Sequence, residues 1–187
     1  MIKNLILLLS LVTLISCGGK SSEERRQELA TEKQNYANGL SSSHKSIINN
    51  ILERDINLSK TNIPSKSSIL VVQKRKGEII PYVSINNKLK NKGYNVSYNS
   101  NDLDYIVVVK SKGIKSGTYS DGSNAWDTET NVYAIDAKTE KINLIETEYL
   151  KAPDKVQTSR NSSPANYGAR GIEGNALAEL IIDKVLR

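Results

Sequence analysis

The chain has 187 residues and a formal charge of +6, with one cysteine, one histidine and no phenylalanine. One thiol and one imidazole cannot assemble an ordinary zinc site, and a single cysteine allows no disulfide within the chain. The mild basic excess comes without a basic-aromatic motif, which argues against a nucleic-acid surface.

The first segment has a positive residue, Lys3, then an apolar run from Leu5 to Ile15 broken only by Ser10 and Thr13, then the small residues Ser16, Cys17, Gly18 and Gly19. This is the order of a secretory signal peptide. A permanent membrane span needs about 20 apolar residues, so the run is too short for one. Leu14-Ile15-Ser16-Cys17 resembles the lipobox of bacterial lipoproteins. The resemblance implies cleavage before Cys17, acylation of that cysteine (palmitate among the chains) and an address in the cell envelope. That address is the outer membrane, on its periplasmic or surface face, if the cell is Gram-negative, and the cell membrane otherwise. An uncleaved anchor and a non-lipidated signal are the alternatives. Loss of Lys3 lowers the formal charge from +6 to +5.

Residues 18–24 read as a flexible tether. Residues 22–37 are dominated by Glu and Arg with few apolar positions, the pattern of a polar spacer, helical or only partly formed. Ser41-Ser42-Ser43 suits a helix cap. His44 to Leu58 follows, with Ile47, Ile48, Ile51, Leu52 and Ile56 on one helical stripe. Ser68 to Gln73 is a continuous apolar run, as in a strand buried on both faces, and residues 74–78 read as a charged turn. Pro81 to Gly93 has helical spacing, with Gly93 at the stop. Tyr94, Val96 and Tyr98 alternate with polar residues as a half-exposed strand does, and Asn99 to Asp102 is a turn. Asp104 to Lys112 is the strongest strand pattern. Residues 113–126, rich in Gly, Ser, Asp and Asn, read as a long loop or a weak hairpin tip. Thr128 to Asp136 and Lys141 to Leu150 form a hairpin. A polar loop at 153–171 precedes a final helix, Glu173 to Leu186.

This order predicts an α/β (α+β) sandwich: one mixed sheet of about five strands with packed helices, preceded by a signal peptide and a helical spacer. The expected divisions are 1–16 signal peptide, 17–40 tether and spacer, and 41–187 soluble domain. The apolar strand at 69–73, the helix ending at Gly93, "DYIVVVKSKG", the hairpin "NVYAIDAKTEKI" and the terminal "GNALAELIIDKVL" resemble the periplasmic α/β domains of the CsgG, LpoB and TolB-N-terminal type over residues 65–187. The resemblance implies a module that binds protein partners in the envelope and carries no catalytic residues.

Few residues offer chemistry. His44 would have to serve any triad, yet no Gly-x-Ser-x-Gly elbow accompanies it. Asp121, Asp127 and Glu129 flank Trp126, a grouping that suits a sugar platform or a carboxylate-dependent hydrolase, against the plainer reading of an acidic loop with an aromatic anchor. Asn99, Asn101, Asp102 and Asp104 offer oxygens for Ca²⁺ but lack the glycine and distal glutamate of an EF-hand. The stretch Gly168 to Gly174, with Arg160 and Arg170, is a candidate anion loop at a helix start. Lys74-Arg75-Lys76 and Lys88, Lys90, Lys92 are basic clusters, suited to anionic headgroups or wall polymers, or simply solvated strand ends and a helix face.

The sequence thus leads to a membrane-anchored envelope lipoprotein acting as a non-catalytic accessory module, without cofactor or metal. Its expected contacts are the membrane, through lipid at Cys17, and an envelope protein. Tyr119, Trp126, Asp127, Arg160 and Arg170 are the candidate binding surface. The alternatives are a glycan- or ligand-binding lipoprotein using the Trp126 loop, and a hydrolase using Asp127 and Glu129.

Overall fold

A computed structural model of the chain describes residues 21–54, 56, 58, 67–75, 77–153, 166–168 and 174–185. The chain divides into two compact units, Met1–Thr31 and Glu32–Arg187. In the first, the described residues open helix α1 (Ser22–Gly39). Ser21 and Glu24 cap each other there: the Ser21 amide donates to the Glu24 carboxylate at 2.7 Å and the Glu24 amide to Ser21 Oγ at 3.2 Å. This reciprocal pairing satisfies two amides that no helical carbonyl can reach.

The second unit is the expected sandwich. Among the described residues one mixed, six-stranded sheet runs in the order β2-β1-β3-β4-β5, with β6 also on β4. The strands are β1 (Ile69–Arg75), β2 (Glu78–Pro81), β3 (Tyr105–Thr118), β4 (Asn124–Asp136), β5 (Ile142–Leu150) and β6 (Asn166–Gly168). On one face, Tyr36 and Leu40 pack with α2 (Ser42–Glu53), through Ile48, Ile51 and Leu52, against Leu70, Val72, Ile106 and Val108. On the other, α3 (Val83–Asn91) and α4 (Gly174–Val185) bring Ile85, Leu89, Leu177 and Ile181 against Ile69, Val71, Val107 and Val132. Two buried faces explain why the strand sequences are unbroken apolar runs rather than alternating ones.

Local chemistry sets the helix ends. Ser41 caps α2, its side chain accepting from the His44 amide at 3.1 Å. Gly93, just past α3, has φ +85°, a left-handed conformation natural to glycine. Burial pushes the Tyr36 phenol up to about 12. The expected spacer therefore contributes its last turn to the core.

Several elements differ from expectation. Residues 113–126 are mostly strand: β3 runs to Thr118 and β4 starts at Asn124, leaving a tip of 119–123. Cross-strand pairing carries this polar ribbon where composition alone suggests a loop. The charged turn at 74–78 is shorter than expected, because β1 continues to Arg75 and Glu78–Pro81 returns antiparallel to it as β2. The helix then starts at Val83. Residues 94–98 make only one bridge, Val96 to Ile69. Within the expected loop 153–171, Asn166–Gly168 pairs with β4, and the rest of that stretch lies outside the described residues. The β4–β5 register shifts at Val132/Tyr133, so Ile145 is an extra residue on β5 and turns into the core shared with α3 and α4.

Among the described residues β1 has no strand partner on its outer edge before Val72, and side chains and loops complete that edge. The Val71 amide donates to Asn86 Oδ1 and the Asn86 amide donates to the Val71 carbonyl, both at 3.0 Å. The carboxamide of α3 thus stands in for a peptide group. Ile69 is served by Asn95 O at 3.0 Å and by the Ser97 amide at 3.3 Å. Asn86 is fully buried, so removing it leaves a buried amide without its acceptor. Asn86→Ala is expected to lower unfolding free energy by about 2–4 kcal/mol in urea melts; a loss below about 0.5 kcal/mol would contradict this role.

Candidate functional site

The parallel β1–β3 pairing ends at Gln73↔Val109. Beyond it, β1 stays paired to β2 through Arg75, and β3 stays paired to β4 through Thr118. The two strands part, and a cavity of about 320 Å³ opens between their carboxyl ends. Parallel strands commonly offer ligand sites at this end. Leu52 of α2 and Leu177 of α4 wall it from opposite faces, with Val109 between them. Lys74, Lys110 and Lys112 are its charged lining residues, joined by the polar residues Gln73, Tyr82, Ser111 and Thr130. Burial raises the Tyr82 phenol, with nearby Arg75 opposing the shift.

Both β3 lysines of the lining have partners within the protein. Lys110 Nζ donates at 2.6 Å to the carbonyl of Arg54, the C-cap of α2, where a cation suits the negative helix end. Lys112 Nζ lies 3.3 Å from Glu129 Oε1. Glu129 is 8% exposed and also accepts from Asn131 Nδ2 and from the Tyr149 hydroxyl, each at 2.6 Å. The Tyr149 hydrogen bond is the largest influence holding this carboxyl below its usual range, and the same bond raises the Tyr149 phenol. Thr147 Oγ1 donates to Asn131 Oδ1 at 2.7 Å. Register places Lys112, Glu129 and Tyr149 in one cross-strand row, and Lys110, Asn131 and Thr147 in the next. On the other face Ser111 and Thr130 share a hydrogen bond of 2.9 Å.

Of the sequence candidates, Tyr119, Trp126 and Asp127 are described, and Tyr119 and Asp127 both bond to residues 152–153. Trp126 and Asp127 are neighbours in β4, so their side chains leave opposite faces of the sheet. Trp126 lies over Gly113, where an added Cβ would meet its ring at 3.6 Å. Asp127 Oδ1 accepts from the Ala152 amide at 2.8 Å. That bond, then one from Ser116, holds its carboxyl below the usual range. Tyr119 sits at the ribbon tip, its hydroxyl donating to Pro153 O at 2.5 Å. A sugar platform combining Trp126 with Asp127 is therefore not assembled on one face.

His44 is buried, with Nδ1 3.1 Å from Ser100 Oγ and Nε2 3.0 Å from Ala137 O. Asp104 accepts from the Ser68 amide at 2.9 Å and from Lys138 at 3.3 Å, and Asn99 Oδ1 accepts from the Asn101 amide. These oxygens stabilise a turn. Cys17, Arg160 and Arg170, and residues 169–173 of the candidate anion loop, lie outside the described residues.

The cleft between β1 and β3 was not among the sequence candidates. Its signal was the abrupt change from apolar run to lysine at Lys74 and again at Lys110. That change marks where each strand leaves the cover of both helix layers.

No protein-family model matches this chain, and no curated protein matches it significantly. The solved structure of protein XCC0632 from Xanthomonas campestris, described under DUF330, aligns with 69% of this chain and 86% of its own at 10% identity, with a TM-score of 0.24. A likeness that slight supports neither a shared fold nor a shared activity.

Glu129 generates a pH prediction. A carboxyl whose folded pKa is depressed stabilises the fold above its unfolded value, 4.5, and that stabilisation is lost as pH falls through the folded value. Wild-type protein is expected to lose stability on acidification below about pH 4.5, and Glu129→Gln to lose less over the same interval. Chemical denaturation at several pH values measures both slopes. Equal slopes would contradict the assignment.

Proposed function

We propose that this protein is a lipid-anchored accessory module of the cell envelope that binds a protein partner and performs no catalysis. The observation that supports this reading most directly is the employment of the groups a hydrolase would need. Asp127 and Glu129 are held ionised by several donors each, a poor state for a general acid. Both ring nitrogens of His44 face partners in the packed interior. The leader resembling a lipobox supplies the anchor, and Cys17 is the residue that would carry it.

The β3–β4 ribbon runs past the end of the β1–β3 pairing and offers the partner a surface. Ile114 and Tyr149 are the large apolar residues left exposed among those described, at 38% and 61%. Strand alternation puts both on the sheet face that α2 covers further along. Exposed apolar side chains set among polar neighbours suit a protein contact.

Cys17→Ser is expected to move the chain from the membrane to the soluble fraction and to abolish incorporation of a labelled palmitate analogue; unchanged fractionation overturns the anchor. In crosslinked cells the lipidated chain is expected to capture one envelope protein reproducibly, and Ile114→Asp to reduce that capture about tenfold without altering thermal stability. Capture that is indifferent to Ile114→Asp removes the ribbon as the docking surface. Turnover of any wall substrate that is abolished by Asp127→Asn would overturn the non-catalytic reading.

A further inference from the structure

On the basis of the partner-binding role proposed above, we infer that the partner docks by adding an extended, acidic strand to the edge of β3 that β1 leaves at Val109. Along a strand, successive residues direct their main-chain groups to opposite neighbours. The Tyr105 amide donates to the Ser68 carbonyl at 3.0 Å, so the odd-numbered residues of β3 face β1. The β3–β4 register is regular from Tyr105 to Lys115. Ser111, Gly113 and Lys115 therefore turn an amide and a carbonyl towards the edge that β1 has left. All three residues are exposed, and their amides have no partner among the described residues. Their neighbours Lys112 and Ile114 pair with Glu129 and Asp127 of β4. The open edge begins at the cavity of about 320 Å³, which Lys110 to Lys112 line from one strand and Gln73 and Lys74 from the other. An added strand would lie where β1 would have continued.

The outer borders of the sheet are blunted by comparison. β2 has four residues and ends in Pro81. β4–β5 pairing is bulged at Val132/Tyr133, and Glu146 Oε1 accepts from the Thr147 amide of β5 at 3.0 Å. On β3 the register shifts only past Lys115. Charge selects the occupant of this edge. Lys115 on β3 and Lys74 across the gap are exposed and have no acidic partner among the described residues, and residues 110–118 include no acid. A second copy would bring a chain of the same sign, formally +6, against these cations. An acidic segment is complementary to them. Ile114, 38% exposed, and Lys115 leave opposite faces of the strand. The fitting segment therefore alternates, with apolar side chains beside Ile114 and acidic ones beside Lys115. Main-chain hydrogen bonds give such a complex its affinity, and the side chains give it selectivity.

The full chain, purified in non-ionic detergent, is titrated with a fluorescent peptide of alternating Glu and Val and with one of alternating Lys and Val. Anisotropy is expected to show saturable binding of the first and not of the second. Gly113→Pro removes an amide that bonds nothing among the described residues, and is expected to weaken binding about tenfold. Gly113→Ala keeps that amide, and its Cβ would meet the Trp126 ring at 3.6 Å, an ordinary contact, so its binding is expected to match wild type. Thermal melts check that both variants are folded. With no substitution at all, saturating peptide is expected to slow hydrogen exchange of the Gly113 and Lys115 amides, while those of Lys112 and Ile114, already paired to β4, change little. Absence of binding, binding indifferent to a folded Gly113→Pro, or unchanged exchange at Gly113 and Lys115 overturns strand addition. Equal binding of the two peptides overturns the acidic occupant. If the Glu-Val peptide binds as expected and crosslinked cells yield no partner, the envelope role falls and the strand-addition edge stands.

Discussion

β1 lies between two helical layers, so water reaches its peptide groups from neither face, and each of those groups needs a partner within the protein. β3 supplies the inner edge from Ile69 to Gln73. The outer edge is assembled from unlike parts: β2 beyond Val71, the Asn86 carboxamide at Val71, and residues 95–97 at Ile69. This requirement ties α3 to the strand it covers. It also explains why a fully buried asparagine is retained among Ile85 and Leu89.

The cleft follows from the same arrangement. β1 and β3 stay paired only while helices cover both faces. Past Gln73 and Val109 the side chains become lysines, the strands part, and each keeps its other neighbour. Buried apolar sheet and polar cleft are two ends of one pair of strands. The cross-strand rows from Lys112 and Lys110 to β5 extend the order into the ribbon. Hydrogen bonds and ion pairs across three strands replace the apolar contacts found nearer the core.

The helices α2 and α3, the strands β1 and β3, and the β4–β5 hairpin were legible because their apolar periodicity is strong and local. β2 was hidden because four residues, Glu78 to Pro81, carry too little pattern, and only pairing with β1 makes them a strand. The ribbon at 113–126 was hidden for the opposite reason: its composition is that of a loop, and the register with its partner overrides it. The site was legible only in part. Trp126 and Asp127 looked like a pair because they are adjacent in sequence, and strand geometry separates adjacent side chains by design of the backbone itself. The lysines of the cleft are 36 positions apart at Lys74 and Lys110, and no linear reading brings them together.

By itself, then, the sequence determined the class of the fold, because burying an apolar stripe or run leaves few choices of element and layer. It also determined the scarcity of imidazole and thiol groups, since one histidine and one cysteine are a matter of composition. Tertiary structure decided which polar residues are employed in holding the fold and which line a cavity. Hydrogen-bond partners are chosen by strand register and helix docking, and these depend on contacts between residues distant in the chain. Glu129 therefore became a structural carboxylate, and Lys74, at the end of a strand, became part of the lining of a cleft.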